Sequence, residues 1–316
     1  MLVKSPVHFD EAQVRSFSEK YIMSLESEYL SWYNLIKNMT HKARENAMND
    51  RNFSEPDLLE MYPDPKVLDV GAGISSAVGT IKPGHKITLS ACDVLADAYD
   101  VLHSLYGLRP YVKIEFAPVE RLTDKYEENS FDIVRMRNAL DHCYDPFTGI
   151  FEMLKVAKIG GTVRLIHREN EAEHELQYGM HQWNITSEGE ESMIIWQKDF
   201  TADIKDILRG AVKIKTVKHQ NKTNGLCFIK SDIVKTENIE TPPKTGMNVF
   251  DETMIRFCLM KTSARFSAAY GKTGHNDPFR KSMFKKLIAY APMGLRKYVP
   301  SWLERGVRSL SRKIGY

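Results

Sequence analysis

Two glycines one residue apart, Gly71 and Gly73, end the apolar run that begins at Lys66. An acid, Asp69, lies two residues before the first glycine, and the next apolar run ends at Asp93. A glycine turn lets the backbone approach a ligand closely, and a helix after it offers its N-terminal amides. A carboxylate at the end of the second strand can accept hydrogen bonds from both ribose hydroxyls. The spacing predicts a nucleotide cofactor held over the ends of adjacent parallel strands.

Two cofactors suit a site of this kind, NAD and S-adenosylmethionine. The dinucleotide fingerprint has a third glycine at the position where this chain has Ser76. S-adenosylmethionine has no pyrophosphate, so it does not need that glycine. In addition, the Asp69 carboxylate could meet the cationic methionine end of S-adenosylmethionine. These details favour the methyl donor over the dinucleotide.

With these motifs the chain resembles the class I S-adenosylmethionine-dependent methyltransferases over about residues 60–235. The resemblance rests on 67–73, on Asp93, on 130–134 as a fourth strand and on 158–162 as the turn into a fifth. It implies a Rossmann-like, seven-stranded, mostly parallel sheet with an antiparallel last strand. It also implies a set of cofactor contacts: Asp69, Gly71, Ala72, Gly73, Asp93, Val94, Val119, Glu120 and Asn138.

The elements that position these residues follow from hydrophobic periodicity. Three- and four-residue spacing of apolar side chains predicts a helix over 10–48. Strands and helices then alternate, which is typical of an α/β fold with a parallel sheet. The predicted strands are 66–70, 86–92, 111–116, 131–136, 162–167, 193–196, 212–219 and 225–234. The predicted helices after the first are 95–106, 146–157 and 201–209, with Asp145 as N-cap of the second of these.

This pattern divides the chain into three parts. Residues 1–59 are predicted to form an N-terminal helical cap, 60–235 the cofactor-binding domain, and 236–316 a linker with a basic helical appendage. The appendage carries ten Lys and Arg against one acid in 279–316. Such amphipathic helices can lie on an anionic membrane surface, or they can pack on the protein body or on a second subunit.

Composition excludes several other classes of protein. The 316 residues are 42% hydrophobic, which is typical of a folded domain, and no run of 18 apolar residues could span a membrane. The four cysteines are scattered and indicate reduced thiols. We expect a cytoplasmic protein, with peripheral contact at the inner membrane face through 279–316 as one use of the tail. No nucleic-acid partner is expected, and oligomerisation is left open.

Polar side chains follow the fourth and fifth strands, where the ligand crevice of an open α/β sheet lies. Asp141 and His142 come after the fourth strand, and His167 ends the fifth. A hydroxyl acceptor must lose a proton during methyl transfer, and imidazole has a suitable pKa for removing it. We therefore predict His142 or His167 as the catalytic base, with Asp141 orienting an imidazole. A structural role for either histidine is the alternative.

The segment after the fifth strand is rich in aromatic and amide side chains, which suit stacking and hydrogen bonding to a polyol. The predicted acceptor contacts are Tyr178, His181, Gln182, Trp183 and Asn184. The segment also loosely resembles bacterial methyltransferases that act on surface polysaccharide or sugar precursors. The expected reaction is O-methylation of a sugar, glycan or glycolipid precursor. A methyltransferase for a small metabolite or lipid, and a non-catalytic binding module, are the alternatives.

A metal site is not predicted. Asp141, Asp145, His167, Glu169 and Glu171 offer oxygen and nitrogen ligands, but their spacing follows no fixed metal-binding pattern. The chain also has no paired cysteines and no His-x-x-x-His helix, which argues against zinc.

Overall fold

The computed structural model describes residues 11–239, with gaps at 199, 209 and 222–224. The chain divides into two units, Met1–Gly246 and Met247–Tyr316, and everything below concerns the first. The predictions for the basic segment 279–316 lie outside the described residues. No helix in the described part of the chain is long and apolar enough to cross a membrane.

A seven-stranded sheet forms the centre of this unit, with the strand order β3-β2-β1-β4-β5-β10-β9. A smaller sheet of three strands has the order β6-β7-β8. The strands in chain order are β1 (Lys66–Val70), β2 (Thr88–Asp93), β3 (Ile114–Phe116), β4 (Phe131–Arg137), β5 (Ala157–Arg168), β6 (Asn184–Thr186), β7 (Ile194–Gln197), β8 (Phe200–Asp203), β9 (Val212–Gln220) and β10 (Cys227–Lys235).

The predicted fold class is confirmed. Strands β1 to β5 are parallel, while β10, the last strand of the described residues, is antiparallel to its neighbours β5 and β9. In register, Val70 at the end of β1 lies beside Cys92 on β2 and Met136 on β4. Since parallel strands end at the same edge of a sheet, the loops after β1, β2 and β4 meet there.

The helices are α1 (Glu11–Asn38), α2 (His41–Asn49), α3 (Ala96–Tyr106), α4 (Pro146–Val156), α5 (Glu171–His174) and α6 (Ile204–Ile207). The single helix predicted over 10–48 is therefore two helices. The break occurs because Thr40 caps α2: its Oγ1 accepts a hydrogen bond from the amide of Ala43 at 3.2 Å. A threonine in this role satisfies an amide that the helix itself cannot.

Helix α4 begins as predicted. The Asp145 carboxylate accepts from the amides of Phe147 and Thr148 at 3.1 and 3.0 Å, and Pro146 occupies the first helical position, where no amide is needed. Nine of its eleven residues are buried because the helix packs into the main hydrophobic cluster beside the sheet. This rigid junction fixes the loop between β4 and α4.

The segment after β5 differs most from the prediction. One strand was expected at 193–196, whereas β6, β7 and β8 form an antiparallel sheet of three. The helix expected over 201–209 is only α6, because residues 200–203 pair with β7 instead. Asp203 then caps α6 by accepting from the amide of Lys205 at 2.8 Å.

Candidate cofactor and acceptor site

The glycine turn after β1 depends on conformations that only glycine adopts easily. Gly71 and Gly73 have φ angles of +66° and +68°. A Cβ at Gly71 would lie 2.7 Å from the Cβ of Ala139, and one at Gly73 would lie 2.7 Å from the ring of Trp32. The turn is also tied to β2, since the Ala72 amide donates to the carbonyl of Cys92 at 3.0 Å.

Asp93 joins the ends of β1 and β2. One carboxylate oxygen accepts from the amide of Gly73 at 2.9 Å, and the other accepts from the amide of Leu95 at 2.7 Å. Burial raises the pKa of Asp93 to about 6, although these two hydrogen bonds act in the opposite direction. The carboxylate is therefore fixed in orientation, with lone pairs left for a ligand. Gly71, Gly73 and Asp93 are called the cofactor wall below.

Asp69 lies next to this wall, and both of its carboxylate oxygens accept hydrogen bonds from other side chains. Its carboxylate accepts from Arg135 Nη1 at 3.0 Å and from the Ser76 hydroxyl at 2.7 Å. Arg135 in turn donates to Glu55 at 2.6 Å, and the side chains of all three charged residues are at most 5% exposed. Asp69 thus stabilises the glycine turn through an ion pair with Arg135 and a hydrogen bond from Ser76. Asp69, Arg135, Glu55 and Ser76 are called the brace below. Ser76, noted in the sequence only as a missing glycine, is part of that brace.

The brace continues to the far strands of the sheet. Arg164 on β5 donates to Glu55, Asp57 and Asp232 at distances of 2.7 to 2.8 Å. Burial alone would lower the pKa of Arg164, but its hydrogen bonds to Asp232 and Asp57 raise it. The sequence carried no signal for this network, because its members come from segments 55–57, β5 and β10.

A cavity of about 340 Å³ opens above the cofactor wall. This volume is within the range of sites for small molecules and cofactors. Eight of the nine residues predicted to contact the cofactor line it: Asp69, Gly71, Ala72, Gly73, Asp93, Val94, Val119 and Asn138. The cavity therefore combines a size suited to a small cofactor with the glycine turn and the Asp93 carboxylate in its wall.

Glu120 is the exception, since it does not line the cavity, and its predicted cofactor contact stays a prediction. It is 1% exposed, and its Oε1 accepts from the amides of Tyr144 and Asp145 at 3.1 and 3.4 Å. Burial raises its pKa to about 8. Its hydrogen bonds connect the segment after β3 to the start of α4. In the described structure Glu120 therefore stabilises the loop beside the cavity, and its neighbour Val119 lines the cavity itself.

Helix α1 contributes a side of the cavity that the sequence reading missed. Tyr21, Glu28 and Trp32 line it, and the Trp32 indole donates to Glu28 at 3.0 Å. These residues are separated by seven and four positions and so lie on one helical face. Their aromatic periodicity was visible in the sequence, but it indicated only a buried face, since a helix packed on a core and one packed over a ligand look alike.

On the other side of the cavity, three side chains converge. His181 Nδ1 lies 2.7 Å from Asp141 Oδ2 and 3.2 Å from His142 Nε2, and His142 Nε2 lies 3.5 Å from the same Asp141 oxygen. Burial would raise the pKa of Asp141, but the two histidines lower it. His142 also lines the cavity. Asp141, His142 and His181 are called the Asp–His cluster below.

His167 does not share this position, and its predicted role as catalytic base stays a prediction that the geometry does not favour. The side chain is 1% exposed within the sheet, where His167 pairs with Ile229, and it is not among the residues that line the cavity. Burial lowers its pKa to about 4, and neither ring nitrogen has a hydrogen-bond partner among the described residues. It is therefore not placed to contact an acceptor in the cavity.

The segment predicted to bind the acceptor divides into buried and exposed parts. Trp183 is fully buried and donates to the carbonyl of Cys143 at 2.8 Å, and buried Asn184 accepts from the amide of Glu173 at 2.8 Å. Both side chains thus serve packing. Gln182 is also buried, whereas Tyr178 is 74% exposed.

Of this segment, Met180 is the residue that lines the cavity, and the sequence reading did not select it. His181 approaches the cavity indirectly, through its contact with His142. The acceptor contacts predicted for this segment, including those of Trp183 and Asn184, stay predictions.

Comparison with known proteins agrees with this geometry. Residues 68–165 match the methyltransferase domain family. That range runs from β1 to β5 and contains the cofactor wall. The match supports methyltransferase activity and S-adenosyl-L-methionine as the cofactor. No curated protein sequence matches the chain.

Solved structures with a similar backbone fold include several methyltransferases. The 1,6-didemethyltoxoflavin N1-methyltransferase of Burkholderia thailandensis is 17% identical, with 73% of this chain and 94% of that one covered and a TM-score of 0.43. The plantazolicin methyltransferase BamL is 12% identical, with 72% and 99% covered and a TM-score of 0.45. A SAM-dependent methyltransferase from Aquifex aeolicus is 15% identical, with 62% and 100% covered and a TM-score of 0.33.

Proposed function

We propose that this protein transfers the methyl group of S-adenosylmethionine to a hydroxyl oxygen of a small molecule, in the class of sugars, glycans or glycolipid precursors. The observation that carries the proposal is the position of His142. It lines the same cavity as the cofactor wall, and it is held by Asp141 and His181.

The cofactor half of the proposal assigns roles to residues already in the cavity wall. Asp93 accepts hydrogen bonds from the ribose, and the turn at Gly71 and Gly73 gives the methionine part close access to the backbone. Asn138 holds the loop after β4 in place, because its backbone has a φ of +48° and its side chain accepts from the amide of Arg168 at 3.3 Å. When bound, the cofactor supplies an electrophilic methyl group on a sulfonium.

Alignment of acceptor and methyl group supplies much of the rate enhancement in such a reaction. A hydroxyl acceptor has a further need, since its proton must leave as the oxygen attacks. A buried carboxylate with two imidazoles at the cavity meets that need, whereas an apolar wall would not. The cluster therefore favours an oxygen acceptor, and the polar segment 178–182 beside it favours a polyol.

The proposal is tested with purified full-length protein, S-adenosylmethionine and a panel of sugars, nucleotide sugars and glycolipid headgroups. Release of S-adenosylhomocysteine is measured, and the methyl carbon of the product is located by NMR. We expect an O-methyl product. We also expect His142→Ala to lower turnover by about 100-fold or more, the usual contribution of a group that handles a proton. Binding of S-adenosylhomocysteine, measured by calorimetry, should change little.

His167→Ala is the matched variant for the other predicted histidine. It should keep turnover per folded molecule, because His167 does not line the cavity. Products methylated on nitrogen, or equal turnover in the wild type and His142→Ala, would contradict the hydroxyl proposal. A wild-type protein that binds no S-adenosylhomocysteine would contradict the methyltransferase assignment itself.

A further inference from the structure

The Asp–His cluster has a geometry that a proton relay would not need. In a relay, the middle imidazole contacts the carboxylate through one ring nitrogen and the next group through the other. Here both contacts of His181 are made at one atom, Nδ1, which faces Asp141 Oδ2 at 2.7 Å and His142 Nε2 at 3.2 Å. The three atoms form a compact triangle with sides of 2.7, 3.2 and 3.5 Å instead of a chain.

A position near the centre of this triangle fits a metal ion. The circle through the three atoms has a radius of about 1.8 Å, slightly less than the ~2.0–2.2 Å of zinc–nitrogen and zinc–oxygen bonds. An ion can therefore bind all three from a point just off their plane. We infer that Asp141, His142 and His181 form the binding site of one divalent transition-metal ion. Two imidazoles and one carboxylate on one face leave other coordination positions open for a ligand.

The charge and hydrogen bonding of the cluster support this inference independently. Asp141 is 2% exposed, and its second oxygen, Oδ1, has no hydrogen-bond partner among the described residues. An isolated buried carboxylate oxygen is costly. Two imidazole nitrogens that face each other can share at most one proton between them, so at neutral charge the cluster has an excess of lone pairs. A cation would neutralise the buried carboxylate and accept the lone pairs of the three atoms that face one another.

The backbone holds the ligands in place before any ion binds. The carbonyl of Asp141 accepts from the amides of Gln182 and Trp183 at 3.0 and 3.3 Å, and the Trp183 indole donates to the carbonyl of Cys143. Because Trp183 is fully buried, these bonds join the loop after β4 to the loop that carries His181. Preorganised ligands of this kind are a general requirement of metal sites.

The ligand set also selects among metals. Imidazole suits zinc, iron, cobalt and nickel, whereas magnesium and calcium prefer oxygen ligands. The ion would therefore be of the zinc or iron type. His142 lines the cavity, so an ion bound to it would lie at the cavity wall. If the proposed function holds, the ion would there bind the acceptor oxygen and favour loss of its proton. Ion binding itself does not depend on that function.

The test uses chelator-treated full-length protein without substrate. Co²⁺ is titrated in, and its visible absorption is followed, with Zn²⁺ then added as a competitor. We expect one equivalent of Co²⁺ to bind with a d–d absorption band and to be displaced by Zn²⁺. Mg²⁺ should not compete. His181→Ala and Asp141→Asn should each weaken Co²⁺ binding by more than about 100-fold, since even the residues behind metal ligands cost roughly 10- to 100-fold when changed.

The matched control is His219→Ala, which removes an exposed histidine on β9 and should bind Co²⁺ like the wild type. Circular dichroism and thermal unfolding show whether each variant is folded, independently of cofactor binding. The inference is overturned if the wild type binds no Co²⁺ or Zn²⁺, or if the folded ligand variants bind Co²⁺ as well as the control. Metal binding without turnover of any hydroxyl acceptor would overturn the proposed function and leave the metal site standing. Turnover without metal binding would do the reverse.

Discussion

The cofactor wall and the Asp–His cluster lie at the same cavity but are built differently. The wall is made mainly of backbone: two glycines with positive φ and a carboxylate fixed by two amides. Its residues are at the ends of neighbouring strands. The cluster is made of side chains from two loops that are separated by about 40 positions in the chain. The loops are held together by hydrogen bonds from the Gln182 and Trp183 amides to the Asp141 carbonyl and from the Trp183 indole to the Cys143 carbonyl.

This difference separates what the site shares with other proteins from what is particular to it. A backbone turn at strand ends follows from the fold, so it can recur in every protein that uses the fold for the same cofactor. A meeting of side chains between loops depends on the lengths and anchors of those loops. Loops of this kind are where acceptor specificity resides.

The largest expected effect concerns the brace under the cofactor wall. Arg135→Met leaves the buried carboxylates of Glu55 and Asp69 without their shared cation. We expect the free energy of unfolding, measured by urea titration, to fall by about 3–5 kcal/mol. Lys205→Met, which breaks an exposed ion pair with Glu191, is the control and should change stability little. Equal stability of the two variants would show that the wall does not depend on its brace.

The second prediction tests whether the wall depends on backbone conformation. Gly71→Ala forces a side chain into a positive φ and within 2.7 Å of Ala139. We expect binding of S-adenosylhomocysteine, measured by calorimetry, to weaken by about 2–3 kcal/mol. The backbone strain of a non-glycine residue at positive φ costs about 1–3 kcal/mol, and the close contact with Ala139 displaces the turn further. Gly84→Ala is a matched control, because its φ is +83° but no atom lies within 4 Å of its Cβ position. Equal losses of affinity in Gly71→Ala and Gly84→Ala would show that the effect does not come from the conformation of the turn at Gly71.

The third prediction concerns the charge of Asp93. Its pKa is raised to about 6 by burial, and ribose hydroxyls donate to the ionised form, so cofactor binding favours the carboxylate. Affinity for S-adenosylhomocysteine should be constant above about pH 7 and fall by up to tenfold per pH unit below pH 6. Asp93→Asn should bind more weakly at pH 7 and lose this dependence. A flat profile in the wild type would argue against a ribose contact.

The smallest effect on cofactor affinity is expected for Glu120, which packs behind the site without lining its cavity. Its folded pKa of about 8 lies above the ordinary value of a glutamate. The folded state therefore binds the extra proton, and stability falls as the pH rises from about 4.5 to 8. Glu120→Gln should flatten this part of the curve of unfolding free energy against pH, while cofactor affinity at pH 7 stays unchanged. A marked loss of cofactor affinity in Glu120→Gln would instead support a direct contact between Glu120 and the cofactor.

The sequence by itself determined the α/β fold class with its mostly parallel sheet, and it put the residues of the cofactor wall at the ends of neighbouring strands. Each of these depends on local rules: hydrophobic periodicity defines strands and helices, and a glycine turn after a strand can be recognised from a few neighbouring residues. The parallel arrangement then brings the ends of β1 and β2 to one edge. Gly71, Gly73 and Asp93 could therefore be placed together before any coordinates were known.

Only the tertiary structure decided which other side chains reach the cavity. Trp32 lines it, whereas His167 is buried in the sheet and Trp183 serves as an anchor. The partners of Asp69 and the meeting of His142 with His181 also depend on contacts between distant segments. A residue type and its local periodicity define a face of an element but not what covers that face. Packing of the whole chain makes that choice, because burial and hydrogen bonding must be satisfied for all segments together.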